Sequence, residues 1–362
     1  MTAVALSPLA TRALQVQATA GNRALGRMIQ ASRPVLARQL IATGDFERFR
    51  AIAEPASGLL LSQDAATGAI TAIGTLPDPA TSPAFASQLL TIMDHPTQNA
   101  EVTFGAAQAG VLVGAFPQPS DMTGSRVQQI DLDDIEAMEA GAPGHGLAAL
   151  AHELGENFEA HAHTPAAGTD LFPGAHGAGI AAENAVLADT VGPGVRQAER
   201  VAAGATANTQ VFAGDYEDHY LVLDITLTPP ADFQISSARN AARTLVSEHV
   251  IDRFVTGSNA LPPGGFAAVT AALADLVAHP QSTVGFEGFC DDVGSAAVND
   301  ALSQRRADAV RDIMVAAGGA PLRNAMHTHG RGQTNFLNGN ATEDERAQNR
   351  RVVIRVEEPA PP

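Results

Sequence analysis

The segment GFEGFCDDVGSAAVNDALSQRRADAV, residues 285–310, decides how the C-terminal third of this chain folds. The apolar residues Val284, Phe286 and Phe289 lie at or next to its start, and their spacing predicts a short strand. A tight turn follows at 291–295, where two acidic residues precede a glycine that can adopt φ > 0. Beyond the turn, apolar residues recur at helical spacing at Val298, Ala301, Leu302, Ala309, Val310, Ile313 and Met314. The segment therefore predicts a strand, a turn and a long helix in succession.

Charged side chains lie at the junction between this strand and this helix. Asp291 follows the strand, and Arg305 and Arg306 lie two turns into the helix that folds back beside it. An Arg guanidinium binds a carboxylate through two parallel hydrogen bonds, and an Asp carboxylate binds an ammonium group. An Asp and an Arg at one opening therefore suit a zwitterionic ligand. An internal Asp–Arg salt bridge explains the same residue types, and the pattern alone leaves both interpretations open.

Several spaced motifs in this part of the chain resemble those of the OmpA-like, peptidoglycan-associated domains. The family motif GxTDxxGSxxxNxxLSxxRAxxV is matched at Gly288–Asp291, Gly294–Ser295, Asn299, Leu302–Ser303, Arg306–Ala307 and Val310. The resemblance continues with Gly330-Arg-Gly332 and closes with Arg346–Ile354, which is similar to the family's RxxNRRVxI. It covers residues 245–357, in the order that the family has.

This resemblance implies a non-covalent grip on diaminopimelate in the peptide stem of peptidoglycan. The family's ligand-binding Asp and Arg fall on Asp291 and Arg306. The positions that line or brace the pocket fall on Asn299, Leu302, Asn349 and Arg350. Cys290 departs from the family, which usually has Thr there, and a thiol is a poorer hydrogen-bond partner than a hydroxyl.

Composition excludes several classes of partner. The net charge of −17 argues against nucleic acid and against an anionic membrane surface, and the single Cys excludes an internal disulfide and a Cys-based zinc site. No segment has the roughly 18 consecutive apolar residues of a transmembrane helix. The N-terminus lacks the charged and apolar regions of a signal peptide. We therefore expect cytoplasmic synthesis and delivery by a non-standard route to a bacterial cell envelope or to a particle.

Residues 1–50 are predicted to form a basic helical segment. Residues 1–44 contain five Arg and no acidic residue, and their apolar positions have interrupted helical spacing. One interpretation is a pair of amphipathic helices packed on the body of the protein. The run Leu14–Ile29 also resembles the LQxxAGNxAxxRLL segment of proteins associated with extracellular contractile injection systems, which would make such a particle a partner. A transit peptide is a third interpretation.

A second cluster of chemically active side chains lies on a predicted helix, Gly146–Ala162. His152 and Glu156 are four residues apart and therefore share one helix face, a spacing at which two side chains can bind one metal ion. Glu153 is placed beside them as a candidate general base for a metal-bound water. His176 or Glu183, on the next helix, would complete the site. Zinc is the cofactor that such a cluster would hold, although the sequence establishes no cofactor.

The order of strands and helices around this cluster resembles the zincin metallopeptidases. Only His152 and Glu153 match their HExxH motif, because Glu156 replaces the second His. Three interpretations stay open: an ordinary helix with surface His and Glu, a zincin-like scaffold without catalysis, and an active site with a carboxylate as its second zinc ligand.

The sequence thus predicts an α+β or α/β multidomain protein. Its parts are the segment 1–50, a zincin-like α+β domain at 51–240, an OmpA-like mixed sheet flanked by helices at 245–357, and a disordered tail at 358–362. Within them, helix and loop are predicted over 193–218 and a helix over 236–250. The expected function is peptidoglycan binding that anchors or targets the protein to the cell wall, with a wall-targeted zinc-dependent hydrolase as the alternative.

Overall fold

A computed structural model of the chain describes residues 40–105, 111–115, 127–162, 172–192, 195–228 and 232–362. The predicted helices and the particle-associated motif before residue 40 lie outside these residues. The chain divides into two compact units. Unit 1 contains the described residues between Leu40 and Gly192, together with Ile225–Ala238. Unit 2 contains Val195–Asp224 and Arg239–Pro362. Residues 195–224 therefore group with the C-terminal unit, whereas the sequence boundaries assign them to the middle domain.

Unit 1 contains a six-stranded mixed sheet. Its strands are β1 (Leu40–Gly44), β2 (Leu59–Gln63), β3 (Ala69–Thr75), β4 (Ala100–Gly105), β5 (Gly114–Ala115) and β6 (Gln128–Asp131), in the order β2-β3-β1-β4-β6-β5. Strands β1, β4 and β6 are parallel, and β5 pairs with β6 in the antiparallel direction. The sequence also predicts strands at 100–104 and 128–132, and β4 and β6 confirm both predictions. The helical prediction for 1–50 is wrong at residues 40–44, because their apolar side chains enter a buried central strand.

Among the described residues, five helices accompany this sheet. They are α1 (Phe46–Ser57), α2 (Pro83–Met93), α3 (Leu132–Gly141), α4 (His145–Ala162) and α5 (Phe172–Thr190). Side-chain caps define several of their starts: Asp45 accepts the backbone N–H of Arg48, and Ser82 accepts that of Phe85 before a proline at the first helical position. Helix α4, which confirms the prediction for Gly146–Ala162, packs mainly against α5.

A second sheet has four strands in the order β10-β9-β8-β7. They are β7 (Arg196–Ala203), β8 (Thr209–Tyr216), β9 (Tyr220–Thr228) and β10 (Asp232–Ala241). The predictions of helix and loop over 193–218 and of a helix over 236–250 are therefore wrong. Their Ala and Arg content favours helix, but cross-strand pairing determines the local structure here, as the antiparallel β7–β8 pair shows.

Unit 2 is built on a third sheet, ordered β11-β14-β12-β13. Its strands are β11 (Arg243–Ile251), β12 (Thr283–Gly288), β13 (Met326–Gly330) and β14 (Val352–Pro359), and its helices are α6 (Gly265–Ala278), α7 (Ala296–Met314) and α8 (Glu343–Asn349). Strands β12 and β13 are parallel, and β14 is antiparallel to both of its neighbours. Apolar residues from the sheet, α6 and α7 form one buried core, which includes Phe254, Phe286 and Ile354. The expected mixed sheet flanked by helices is confirmed.

The C-terminal residues differ from the expected disordered tail. Strand β14 continues to Pro359, where Glu358 and Pro359 pair with Thr244 and Arg243. The backbone N–H of Ala360 then donates to the carbonyl oxygen of Ala242 at 2.8 Å. The acidic, Pro-rich composition suggested disorder, but edge strand β11 supplies these residues with backbone partners.

Candidate functional sites

Two glycines allow the predicted strand and helix of unit 2 to approach closely. A Cβ atom on Gly288, the last residue of β12, would lie 2.0 Å from the carbonyl oxygen of Ser303 in α7. A Cβ on Gly330, at the end of β13, would lie 2.6 Å from the backbone nitrogen of Gln304. Only glycine fits these contacts, so both strand ends lie directly against α7. This packing positions Asp291, just past β12, beside the helix that carries Arg306.

Asp291 forms a buried ion pair, but with Arg350 and not with Arg306. Its Oδ2 accepts a 2.7 Å hydrogen bond from Arg350 Nη1, and its Oδ1 accepts one from the backbone of Val293 at 3.2 Å. Arg350 also donates to the carbonyl oxygen of Phe254 at 2.6 Å and to Glu343 at 2.7 Å. Burial disfavours the charge of Arg350, but the two carboxylates outweigh it and raise the pKa of its guanidinium. The internal Asp291–Arg306 salt bridge is therefore not present.

Arg306 is completely buried and is held by backbone carbonyl groups. Its Nε donates to Ser258 at 2.9 Å and its Nη2 donates to Val255 at 3.2 Å. Its Nη1 donates to the carbonyl oxygen of Phe289 at 3.0 Å and contacts the sulfur of Cys290 at 3.4 Å. Burial lowers the pKa of Arg306. Four of the five N–H donors of a guanidinium are thus in use, and among the described residues no carboxylate forms an ion pair with Arg306.

The remaining predicted site residues brace the loops around Asp291 and Arg306. Asn299 donates to the carbonyl oxygens of Asp291 and Val293 and to the side chain of Gln333. Asn349 accepts the backbone N–H of Leu337 at 2.6 Å and donates to three oxygens of the 338–340 loop. Leu302 is buried on α7. The thiol of Cys290 donates to the carbonyl oxygen of Asn299 at 3.4 Å, so it supports the turn, and burial raises its pKa.

The predicted metal-binding residues of unit 1 also come together. One ligand atom each from His152, Glu156 and His176 lies within 4.8 Å of the others. His152 Nδ1, on the opposite side of the ring, lies 2.9 Å from Glu183 Oε2. Burial disfavours a charged ring, but the two carboxylates outweigh it and raise the pKa of His152 to about 9. Of the two residues predicted to complete the site, His176 contributes a ligand atom and Glu183 forms a hydrogen bond with the opposite nitrogen of the His152 ring.

Glu153 points away from these three ligand atoms toward the sheet. Its carboxylate accepts a hydrogen bond from the side chain of Gln128 on β6, and a Cβ on Gly114 of β5 would lie 2.2 Å from its Oε2. Glu153 keeps some exposed surface, yet protein atoms surround its carboxyl group, and burial raises its pKa to about 7. In this orientation the carboxylate does not face the ligand atoms, so a role of Glu153 as general base stays a prediction.

Two partners in these sites were not predicted from the sequence. Glu343, which binds Arg350, lies in the first turn of α8, whose start is defined by a capping box in which Thr342 and Glu345 satisfy each other's backbone N–H groups. The pattern Thr-x-x-Glu at 342–345 is the signal that would have placed the start of α8 and thus Glu343. Gln128, the partner of Glu153, carries no comparable signal.

Within the described ranges, no helix is both long enough and apolar enough to cross a bilayer.

Known proteins resemble the C-terminal part of the chain. Outer membrane porin F of Pseudomonas fluorescens is 44% identical over 86 residues, which are 24% of this chain and 26% of the porin. The peptidoglycan-binding protein ArfA of Mycobacterium bovis is 32% identical over 126 residues, which are 35% of this chain and 37% of that protein. The chain therefore spans less than half the length of these relatives.

The structure of the peptidoglycan-associated lipoprotein from Burkholderia pseudomallei is similar at 26% identity, with a TM-score of 0.28 over 30% of this chain and 89% of that chain. The model of the OmpA family matches residues 253–350, which include Asp291, Arg306 and Arg350. Residues 253–350 of this chain thus form an OmpA-family domain.

Proposed function

We propose that the OmpA-family domain binds peptidoglycan non-covalently and anchors the protein to the bacterial cell wall. In this proposal Asp291 binds the ammonium group and Arg306 the carboxylate of diaminopimelate in the peptide stem. The observation that carries it is the buried guanidinium of Arg306, which has no carboxylate partner among the described residues and lies beside the turn of Asp291. The name of the ArfA relative, a peptidoglycan-binding protein, supports the same function.

The contacts of Arg306 define what its ligand must do. A buried cation is costly unless an anion or strong dipoles compensate it, and here only carbonyl and sulfur dipoles do so. One N–H remains for an incoming carboxylate. The two parallel hydrogen bonds expected from the sequence therefore require that the carbonyl oxygen of Val255 or of Ser258 releases its hydrogen bond from Arg306. Because Arg306 is fully buried, we expect the segment 255–258 to move when the ligand binds.

Asp291 can serve the ammonium group without losing Arg350. An ionised carboxylate offers about four lone-pair positions, and the described contacts use two of them. The hydrogen bond from Arg350 fixes the orientation of the Asp291 carboxylate, which reduces the conformational cost of binding. We therefore assign Asp291 and Arg306 to the ligand, and Arg350, Asn299, Leu302 and Asn349 to the support of the pocket.

Co-sedimentation with purified sacculi tests this function. We expect Asp291→Asn and Arg306→Lys each to weaken binding by at least about tenfold, because the first removes the negative charge that binds the ammonium group and the second removes the planar guanidinium that fits a carboxylate. The matched controls are Asp344→Asn and Arg253→Gln, which alter an exposed ion pair of the same domain and should bind like the wild type. Equal binding by all five proteins would refute the proposal, provided that thermal unfolding shows the variants to be folded.

We propose metal-dependent hydrolysis, at unit 1, as a second candidate function. The observation that favours it is the convergence of His152, Glu156 and His176, with Glu153 on the same helix. A zincin-like active site with a carboxylate ligand would have this donor set. Release of soluble fragments from sacculi in the presence of zinc tests the idea, with Glu153→Gln as the variant expected to be inactive. Equal release by wild type and variant would exclude Glu153 as the base.

Association with a contractile injection particle is proposed on the sequence of residues 14–29 alone. Such a particle would provide the route by which the protein reaches the envelope. Deletion of residues 1–39, which spares strand β1, should abolish co-purification with the particle and leave sacculus binding intact. Retention of the shortened protein on the particle would contradict this assignment.

A further inference from the structure

Three potential ligand atoms in unit 1 form a nearly equilateral triangle. His152 Nε2 lies 3.2 Å from Glu156 Oε2 and 3.2 Å from His176 Nδ1, and the third side, from His176 Nδ1 to Glu156 Oε2, is 3.3 Å. His152 and Glu156 share one face of α4, whereas His176 belongs to α5. Two helices thus present three donor atoms to one point.

Hydrogen bonds alone do not satisfy all three sides of this triangle. A ring nitrogen either donates one hydrogen or accepts one, and an ionised carboxylate only accepts. If both ring nitrogens donate to Glu156, the side between the rings joins two donors. If His176 Nδ1 accepts from His152, it faces the Glu156 oxygen as one acceptor facing another. With Glu156 ionised, one side is therefore unfavourable in either arrangement. A cation at the centre removes the conflict, because all three atoms then direct lone pairs to it.

The size and chemistry of the triangle select the class of cation. Ligand atoms about 2.0–2.1 Å from a tetrahedral zinc ion are separated by about 3.3–3.4 Å. Octahedral magnesium with similar bond lengths would bring adjacent ligands to about 2.9 Å, and it prefers oxygen ligands. The observed sides of 3.2–3.3 Å fit the first case. Two imidazole nitrogens and one carboxylate are also a donor set suited to zinc and its neighbours in the transition series.

Glu183 has the position of a supporting residue for such a site. Its Oε2 lies 2.9 Å from His152 Nδ1, so it holds a hydrogen on that nitrogen, and Nε2 is the nitrogen that can release its proton and bind a cation. A Cβ on Gly179 would lie 2.8 Å from His152 Nε2, so glycine is required where α5 passes the ring. The side chain of His176 is 37% exposed, whereas those of His152 and Glu156 are 9% and 6% exposed. Of the three side chains, His176 is therefore the one in substantial contact with solvent.

We infer that unit 1 binds one zinc-class divalent cation through His152 Nε2, Glu156 Oε2 and His176 Nδ1, with Glu183 as the residue that positions His152. Three protein ligands leave the fourth tetrahedral position for water or for an oxygen of a bound molecule. This site is independent of the OmpA-family domain, and cation binding does not require that the proposed hydrolysis occurs.

Titration of the full-length, chelator-treated protein with Zn²⁺ against a competing chelator dye tests this inference. We expect one ion per chain, and cobalt substitution should give the intense visible absorption of a tetrahedral site. His176→Asn should weaken Zn²⁺ binding at least about a hundredfold, because it removes one of the three ligands. The fold should tolerate this substitution, because the side chain is partly exposed. Glu183→Gln should weaken it by about 10–100-fold and preserve the tetrahedral cobalt spectrum, because the ligands remain.

His161→Asn is the matched control, since His161 lies on the same helix and bonds to the backbone of Asn157. It should bind Zn²⁺ like the wild type. The inference is overturned if the wild type binds less than one ion per chain at saturation, or if the His161 and His176 variants bind equally. Because His176→Asn and Glu183→Gln are compared with the wild type by circular dichroism as well, loss of the fold is detected separately from loss of the ion.

Discussion

The carboxylate of Asp291 and the guanidinium of Arg350 are both buried, with exposed side-chain fractions of only 4% and 7%. Removing one member of a buried pair leaves the other without compensation, which typically costs about 3–5 kcal/mol. Glu343 remains as a second partner of Arg350, so we expect Asp291→Asn to lower the free energy of unfolding by about 2–3 kcal/mol. Urea unfolding measures this. Glu343→Gln, which alters the exposed partner of the same arginine, should leave the midpoint unchanged, and equal effects of both variants would contradict the argument.

A second expectation at this scale concerns His327 on β13. Burial, followed by the nearby charges of His329, Arg243 and Arg331, lowers its pKa to about 3. Asp215 lies 3.5 Å from its Nε2 and would favour the charged ring, but that carboxylate is already bound by Arg243 and Thr283. The ring is therefore neutral in the folded protein near neutral pH.

This lowered pKa makes stability depend on pH in a defined window. The unfolded chain protonates His327 near pH 6.5, whereas the folded chain does so only near pH 3, so unfolding takes up a proton between these values. Stability should thus fall as the pH decreases from about 6.5, by up to about 1.4 kcal/mol per pH unit from this residue. Urea unfolding at pH 7.5 and pH 5 should show a smaller loss for His327→Gln than for the wild type. Parallel losses in both proteins would exclude His327 as the source.

Sequence motifs singled out Asp291 and Arg306 but did not predict their partners in the structure. The register of the sheet explains why: Gly288 is paired with Val352, so the residues just after β12 lie opposite those just before β14. This register brings Asp291 to Arg350. Spacing along the chain contains no information about which strands pair or at which residue, so the choice between the two arginines required the three-dimensional structure.

At the scale of elements, the contact between β12 and α7 is the most constrained. Gly288→Ala would place a methyl group 2.0 Å from the carbonyl oxygen of Ser303, where backbone atoms of the helix cannot yield cheaply. We expect a loss of at least about 2–3 kcal/mol of stability and weaker sacculus binding, because Asp291 follows this strand. Gly339→Ala is the matched control, since a Cβ there meets nothing within 4 Å. A Gly288→Ala protein as stable as the control would show that the two elements separate easily.

The accuracy of sequence-based assignment also differed between elements for a physical reason. Helix α4 and strands β4, β6 and β12 were predicted because their apolar side chains repeat with the period of the element. Strand β11 was not, because it is an edge strand in which Leu245 and Val250 are exposed. The alternation that identifies a strand requires one consistently buried face. The donor atoms of His152 and Glu156 were predicted from one helix, whereas the choice of His176 over Glu183 depended on how α5 packs.

At the scale of the whole molecule, the family match and the folding unit do not have the same limits. Residues 253–350 contain β12 and β13 but exclude β11 and β14, which supply Ile251, Val352, Ile354 and Val356 to the core of unit 2. Without β11 and β14, only two of the four strands of this sheet remain, and two strands alone are not expected to be stable in water. The longer fragment 239–362 contains all four strands, but it lacks Asp215, the fully buried partner of Arg243.

These differences predict a graded series of fragments. Residues 195–362, which retain the Asp215–Arg243 pair and its link to Thr283, should unfold cooperatively and bind sacculi. Residues 239–362 should fold but lose about 3–5 kcal/mol, because Arg243 keeps only the partly exposed Glu357 as a carboxylate partner. Residues 253–350 should show no cooperative transition by circular dichroism and no binding. A folded, binding-competent fragment 253–350 would show that the strands outside the family match are dispensable, and β12 and β13 would then have to be stabilised by the helices that remain in the fragment.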